Sequence, residues 1–547
     1  LSGSYNYQEG VIKTNDISKV NLKSNINHEM FKWLKVGANI SGNYLHNNRI
    51  PGADLGSTII GRAVQQRPFD RPYKPNGGYY TGGTDELLLH NAVQILSEET
   101  SYTDNYRFIG SFWAEAQIIK GLTVRAWYNN DSAYTYDYIY YNQNHPYAAD
   151  KGRILDRNRF VMTNTIDLYA NYNRKIGEDF ELGAMVGHSF LKTKSRTSYI
   201  DAQNYPSPAF DVASVAANIV DASAGLSEYA IESYFARLSL AYKDRYVVNA
   251  TIRTDGSSRF HKDCRWGTFP SVSAGWVISE EPWFKNDVLQ YLKLRGSIGQ
   301  LGNERIGSEF PYMAAISFGN SYMYDKGSQT VSAVQNAAQV YYAFQDITWE
   351  TTTTYGVGAD MSFLDERLRL SADYYYKKTE DMLLTLGFPS YAGFSAPSQN
   401  AGDMYTKGWD LEIGWSDTIG DFSYSISANL SDYRSRMGYL GDRRTISGNY
   451  ITEEGSYYNE WYMYRTDGIF LTDEDLYDAE GNKYPTLTAN DKAGNIKYVD
   501  VDNSGTINAD DKVRLGNSLP EYLYGGNISL GWKGLDFNLS FQGVGHQ

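Results

Sequence analysis

Strict two-residue alternation of apolar and polar side chains recurs from one end of this 547-residue chain to the other. Leu34, Val36, Ala38 and Ile40 interleave with Lys35, Gly37, Asn39 and Ser41. Ile166, Leu168, Ala170 and Tyr172 alternate with Asp167, Tyr169, Asn171 and Asn173, and Phe180, Leu182, Ala184 and Val186 follow after a short turn. Tyr234, Ala236, Leu238, Leu240 and Tyr242 share one face, with Arg237 and Ser239 on the other. The same pattern runs through Leu368 to Tyr376, Phe422 to Leu430 and Leu535 to Phe541. A repeat of two puts one set of side chains on each face of a strand. The chain therefore reads as all-β.

The connections fall into two classes. Short polar turns sit at Lys175 to Asp179, Lys243 to Arg245, Leu364 to Arg367 and Lys533-Gly534. Between the hairpins lie long stretches, at 44–100, 130–160, 191–230, 300–350 and 431–520, rich in Tyr, Asn, Asp and Gly. Tight turns at one end and long loops at the other is the asymmetry of an outer-membrane β-barrel, whose long loops are extracellular. About 14 to 18 strands of roughly nine to eleven residues are expected.

The two faces decide what surrounds such a sheet. The apolar face is Leu, Ala, Val and Tyr; the other is Ser, Asn, Arg, Asp and Thr. This suits apolar residues turned to lipid and polar residues turned to a wet lumen. Aromatic content points the same way, with 48 Tyr, 22 Phe and 11 Trp available for girdles at the two membrane interfaces. The alternative is a series of soluble sandwich domains, a secreted carbohydrate-binding or adhesin-like β protein using Tyr and Trp as sugar platforms. No Pro- or Ser-rich linker divides the chain into such modules.

Other classes are excluded. No apolar run approaches the ~18 residues of a membrane-crossing helix. With 50 Lys+Arg against 64 Asp+Glu the formal charge is −14, which argues against a nucleic-acid partner, since duplex binding needs clustered cations. The single Cys264 forbids an internal disulfide. The chain opens at Leu1 without a signal peptide, so a targeting segment would lie outside it.

One stretch is specific enough to carry a family resemblance. From Tyr234 it reads YFARLSLAYKDRYVVNATIRTDGSSRF, then RWGTFPSVSAGWVISEEPWF from Arg265 and LKLRGSIGQLGNERIG from Leu292. This closely resembles the barrel of SusC-like (SusC/RagA) TonB-dependent transporters of the Bacteroidetes outer membrane. The segment from Tyr5, YNYQEGVIKTNDISKVNLKSNINHEMFKWLKVGANISGNY, looks like the strands that follow the plug in that family. LGNSLPEYLYGGNISLGWKGLDFNLSFQGVG, from Leu515, is similar to a block near the end of the barrel. The resemblance implies a large antiparallel transmembrane β-barrel spanning residues 1–547, located in the cell outer membrane and surrounded by its lipid. It implies import of oligomeric nutrients, glycans or peptides, driven by the TonB complex and capped by an SusD-like surface lipoprotein. Relative to that family the plug domain, the TonB-contacting segment and the last strands are not found, so the expectation is a barrel fragment of a longer protein.

The sharpest local motif lies in a connection expected to be extracellular, at 500–511. Asp500, Asp502, Ser504 and Asn508 place oxygen donors at positions 1, 3, 5 and 9 of an EF-hand-like loop. Gly505 stands at position 6, Thr506 at 7 and Asp511 at 12. Ca²⁺ takes six to eight oxygens, and a Gly at position 6 allows the sharp turn around the ion. Ca²⁺ is thus a possible structural ligand, though no cofactor is required. The competing reading is an Asx-rich surface turn that holds no metal.

Catalytic signatures are absent from the sequence. The seven His (28, 46, 90, 145, 188, 261 and 546) show no zinc spacing. Ser271-Val-Ser273-Ala-Gly275 lacks the first Gly of a nucleophile elbow, and Gly356-Val-Gly358 lacks the third Gly of a dinucleotide fingerprint. An enzyme is not expected. Candidate ligand-binding residues are the alternate tyrosines Tyr136, Tyr138 and Tyr140, in what reads as a loop, with Tyr457, Tyr458 and Trp461. The alternate tyrosines suit a girdle at the barrel rim as well as a sugar- or peptide-stacking platform. The run Asp255-Gly-Ser-Ser-Arg259 reads as a turn followed by a strand.

Overall fold

The computed structural model describes residues 1–51, 59–81, 90–148, 151–207, 209–314, 316–325, 331–339, 343–385, 391, 398–441, 443–488 and 491–546. Among the described residues, seventeen strands belong to one sheet. In chain order they are β1 (Ser2–Glu9), β2 (Asp16–Phe31), β3 (Leu34–Asn48), β4 (Glu99–Ile119), β5 (Leu122–Tyr141), β6 (Arg153–Ile176), β7 (Phe180–Gln203), β8 (Asn218–Tyr242) and β9 (Tyr246–Ser257). There follow β10 (Trp266–Val277), β11 (Leu289–Asn303), β12 (Glu350–Phe363), β13 (Leu368–Glu380), β14 (Met404–Ile419), β15 (Phe422–Met437), β16 (Glu521–Trp532) and β17 (Leu535–His546). Successive strands pair antiparallel from β1 to β6 and from β10 to β17, as in β2–β3, β12–β13 and β16–β17. Two compact units divide the chain: Leu1–Tyr172, Met185–Phe235 and Gly256–Ser258 in the first; Asn173–Ala184, Ala236–Asp255 and Arg259–Gln547 in the second.

In the first unit the register lines up like with like. Tyr44 lies opposite Tyr106, Tyr106 opposite Tyr134, and Tyr134 opposite Phe160. This aromatic row caps the apolar face ten residues along β3 from Leu34, with Tyr44–Tyr106 and Tyr106–Tyr134 centroids 4.8 and 6.3 Å apart. Helices Ile59–Gln65 and Ala92–Glu98 lie between β3 and β4 in the chain, the second capped by the Asn91 side chain.

In the second unit the apolar rows continue across strands. Tyr424, Ile426 and Ala428 face Leu530, Ile528 and Gly526, which face Phe537, Leu539 and Phe541. At the turn end of this unit Phe180, Tyr242, Tyr246 and Trp276 form an aromatic ladder with centroids 4.5, 6.2 and 6.2 Å apart. The turns take left-handed backbone where the chain must reverse, with φ of 52° and 55° at Lys243 and Asp244 and of 54°, 58° and 62° at Leu364, Asp365 and Glu366.

Burial discriminates between the two β readings. Mid-strand apolar side chains are open: Val357 is 61% exposed, Ile426 44% and Leu539 46%. The buried clusters sit instead where connections fold onto strand ends, as in Phe260, Phe269, Ile306, Ile347 and Trp349. Soluble sandwiches bury the rows that here stay exposed. The sandwich alternative fails on this point.

Three expectations are corrected. The strands after β1 run 12 to 25 residues, not nine to eleven. Much of the expected loops 130–160 and 191–230 is strand, leaving connections of 142–152 and 204–217; parts of 44–100, 300–350 and 431–520 lie outside the described residues. Asp255 to Ser257 end β9 and a turn follows, the reverse of the order read from sequence. Ser271 to Gly275 and Gly356 to Gly358 lie on β10 and β12, as simple strands.

Candidate functional site

The polar faces of the strands carry charge ladders. In the first unit Arg107 grips Asp131 with Nε and Nη2 at 2.9 and 2.5 Å, and Asn105 donates to Thr135 at 2.7 Å. The Arg125 guanidinium lies between the Trp113 and Trp127 rings, 4.3 and 4.8 Å from their centroids, with Glu115 at 3.6 Å. Opposite Trp113 stands Gly37, whose bare backbone accommodates the indole: a Cβ there would meet the ring at 2.4 Å.

In the second unit Arg295 bridges two strands, its Nη2 reaching Asp360 at 3.0 Å, Ser371 at 3.1 Å and Asp373 at 2.8 Å. Arg259 is clasped by Glu304 and Glu309. Sequence reasoning missed these arginines, because their carboxylate partners lie 45 to 78 residues away: strand register brings Asp360 and Asp373 to Arg295, and the turn after β9 brings Arg259 to glutamates that follow β11. Polar groups paired in this way, rather than scattered, make a firm wetted wall.

The 438–520 connection of the second unit folds on itself. Strands Thr445–Ser447, Tyr450–Thr452, Glu460–Tyr464 and Lys512–Gly516 form a small sheet. Glu460, buried, accepts from Arg514 Nε and Nη2 at 3.0 and 2.8 Å and from the Tyr457 amide at 2.8 Å. This places loop 500–511 directly before the strand that pairs with the one carrying Trp461.

The loop itself closes around its acidic residues. Asp500 accepts from the Ser504 and Gly505 amides at 3.0 and 2.7 Å, and Asp502 from Ser504 at 3.0 Å. Ser504 Oγ donates to the Thr506 carbonyl at 3.0 Å, and the Asn508 side chain accepts from the Asp510 amide at 2.8 Å. Gly505 has φ of +81°, which suits glycine alone. Fully buried Asp511 accepts from the Asn508 and Val501 amides, each at 2.8 Å. Those amides, Asn508 first, hold its carboxyl below the usual carboxylate range. Carboxylate oxygens of Asp500, Asp502 and Asp511 come within 4.8 Å of one another, the separation that two ligands at ~2.4 Å from one Ca²⁺ can span.

The aromatic candidates divide. Tyr136, Tyr138 and Tyr140 lie on β5, not in a loop. Tyr138 and Tyr140 are buried with Ile154 and Tyr205, and Tyr138 Oη donates to the Asp211 carbonyl at 2.8 Å. Their ring faces are thus covered by the chain itself, which corrects the stacking-platform reading for these two; half-buried Tyr136 reaches Asp156 at 3.3 Å. Tyr457 lies under the Arg436 guanidinium, 4.1 Å from its centroid, and Trp461 stacks on Tyr450 at 4.6 Å. Tyr458 is 41% exposed.

Comparison with known proteins accounts for this architecture. The family described as TonB dependent receptor-like, beta-barrel matches residues 33–544. The chain is 28% identical over 569 residues to TonB-dependent receptor P26 of Formosa agariphila, covering 99% of this chain and 55% of that protein. It is 26% identical over 603 residues to TonB-dependent receptor SusC of Bacteroides thetaiotaomicron, again covering 99% and 55%. The fold matches the solved RagAB peptide transporter with a TM-score of 0.83 at 23% identity, over 98% of this chain and 59% of that one. The chain thus spans about half the length of the curated relatives it matches. These relatives are named as receptors, not enzymes. The chain belongs to the TonB-dependent receptor-like β-barrel family of the outer membrane, and its barrel is of the SusC and RagA type.

Proposed function

We propose that residues 1–547 form the barrel wall of a TonB-dependent importer of oligomeric nutrients, glycans or peptides. The observation that carries this reading is the division of faces: apolar rows stay exposed while Arg–Asp ladders line the opposite side. Such a strand set is stable only with hydrocarbon on one side and water on the other. In each unit the paired side chains, around Arg107 and Arg125 in the first and around Arg295 in the second, would face the aqueous side, and a SusD-like lipoprotein would cover the extracellular mouth beside the 438–520 connection. Energy would come from the TonB complex, through a part of the protein outside residues 1–547. Cells lacking the full-length protein should lose growth on its cargo, tested with glycan and oligopeptide mixtures as sole carbon sources. Unchanged growth on every mixture, with the protein present in the wild-type outer membrane, would overturn the importer reading.

The reading extends to Ca²⁺ in loop 500–511. Asp500, Asp502 and Asp511 would supply carboxylate oxygens, Ser504 its hydroxyl, Thr506 its carbonyl and Asn508 a side-chain oxygen directly or through water. The ion would stiffen the loop, and with it the strand Lys512–Gly516 that anchors the connection.

A further inference from the structure

The outward row of β7 changes character along its length. In the first unit Val186 is 60% exposed and Phe190 37%, and the next outward positions are Lys192, Lys194 and Arg196, all exposed. The residue between the lysines, Thr193, is buried on the opposite face, where it hydrogen-bonds Thr163 at 3.0 Å. Successive outward side chains on a strand stand about 6.7 Å apart, so the three cations form a line along the strand. One acid answers them: Glu228 on β8 meets Lys192 at 3.4 Å and Lys194 at 3.0 Å. Among the described residues Arg196 makes no ion pair. Just below, His188 lies 3.1 Å from Glu232, which also accepts from Tyr234 Oη at 2.8 Å. The row therefore carries an excess of positive charge on a chain whose net charge is −14.

Its height matters. On β7 the cations follow Val186, His188 and Phe190 along the same outward row, toward Gln203 and the 204–217 connection. The cations thus lie on the side of the long connections, which is the extracellular side in such barrels. A line of cations above an apolar belt fits anionic headgroups whose acyl chains lie against that belt.

We propose that Lys192, Lys194 and Arg196 form a docking site for the phosphate groups of an outer-leaflet glycolipid, with Val186 and Phe190 receiving its acyl chains. The site rests on the outer-membrane placement of the barrel and not on its transport role. The test uses the full-length protein in detergent micelles doped with bisphosphorylated lipid A, with dephosphorylated lipid A, or with inorganic phosphate alone. Wild-type protein should bind the bisphosphorylated lipid selectively. The K192Q/K194Q/R196Q variant should bind it at least roughly tenfold more weakly, and the charge-keeping K192R/K194R/R196K variant should retain binding. Heat-modifiable migration on gels, measured in parallel, reports barrel integrity independently of lipid. Equal lipid binding by the folded Gln variant and wild type overturns the site, as does equal binding of phosphorylated and dephosphorylated lipid. Equal response to free phosphate overturns the lipid as its occupant.

Discussion

Asp373 meets Arg295 at 2.8 Å directly across Gly358, the residue paired with Asp373 on one side and Arg295 on the other. A Cβ on Gly358 would lie 2.3 Å from Asp373 Oδ1 and 3.1 Å from Arg295 Cζ. The glycine therefore leaves room for an ion pair spanning three strands. Gly358→Ala should cost about 1–2 kcal/mol by displacing that pair, a figure kept small because both partners are about one-third exposed. Arg295→Met leaves Asp360 and Asp373 facing each other without their shared cation. It should be more destabilising than Gly358→Ala and be partly rescued by adding Asp373→Asn. Urea unfolding in detergent measures all four proteins, and identical midpoints would show that the ladder adds no stability.

The Gly37–Trp113 contact makes a second, steric prediction. Gly37→Val would drive the indole away from its position over the strand and off the Arg125 guanidinium. The expected loss is roughly 1–3 kcal/mol, as for other overpacked sites. Tryptophan fluorescence should shift with it, because Trp113 moves toward water. Gly42, where a Cβ would meet nothing within 4 Å, is the control: Gly42→Ala should leave the spectrum unchanged.

The fold was largely legible because a bilayer forces the outward face to be apolar, and Phe422 to Leu430 or Leu535 to Phe541 show it residue by residue. Strand ends were not legible for the same reason. Beyond the aromatic row at Tyr44, Tyr106 and Tyr134 the same face carries His46, Asp104 and Tyr136, so alternation fades although β4 to β8 continue as strands. Tyr136 to Tyr140 consequently read as loop. Their burial depends on Tyr205, some sixty residues on, which nothing local announces. The acidic loop was visible from spacing alone, since every member lies within twelve residues, whereas Arg295 with Asp373 needed the strand register.

If loop 500–511 takes Ca²⁺, millimolar Ca²⁺ should protect the 438–520 connection of the full-length protein from protease, and chelator should remove the protection. Asp502→Asn keeps an oxygen able to accept from the Ser504 amide but removes a charge, so it should weaken Ca²⁺ on the order of tenfold with the loop still formed. Protection that is the same with and without Ca²⁺ would leave an Asx-rich turn as the correct description.

The pH response of this loop follows from Asp511. Its folded carboxyl is held below the ordinary value near 4 by backbone amides, so it favours the folded loop wherever it is ionised. That contribution is fully present above about pH 4 and disappears as pH falls through the depressed folded value. Hydrogen exchange at Val501 and Asn508, corrected for intrinsic rates, should stay slow from neutral pH down to about pH 5 and accelerate only at lower pH. Asp511→Asn, which cannot ionise, should exchange faster at neutral pH and lose this acid transition.

The sharpest test concerns which face meets lipid. Leu539 pairs with Ile528, which pairs with Ile426, and Leu539 and Ile426 remain exposed at 46% and 44%. One residue along, Ser540 donates to Asn527 at 2.7 Å on the polar face. In a bilayer Leu539→Arg must bury a cation against hydrocarbon, at a cost of about 2–4 kcal/mol near the midplane. Ser540→Arg places the same charge in a wetted environment and should cost much less. The heat-modifiable fraction in isolated outer membranes should therefore fall for Leu539→Arg and stay near wild type for Ser540→Arg. Were Ser540→Arg the more damaging of the two, the faces would be reversed and the lipid-facing assignment of every apolar row would fail with them.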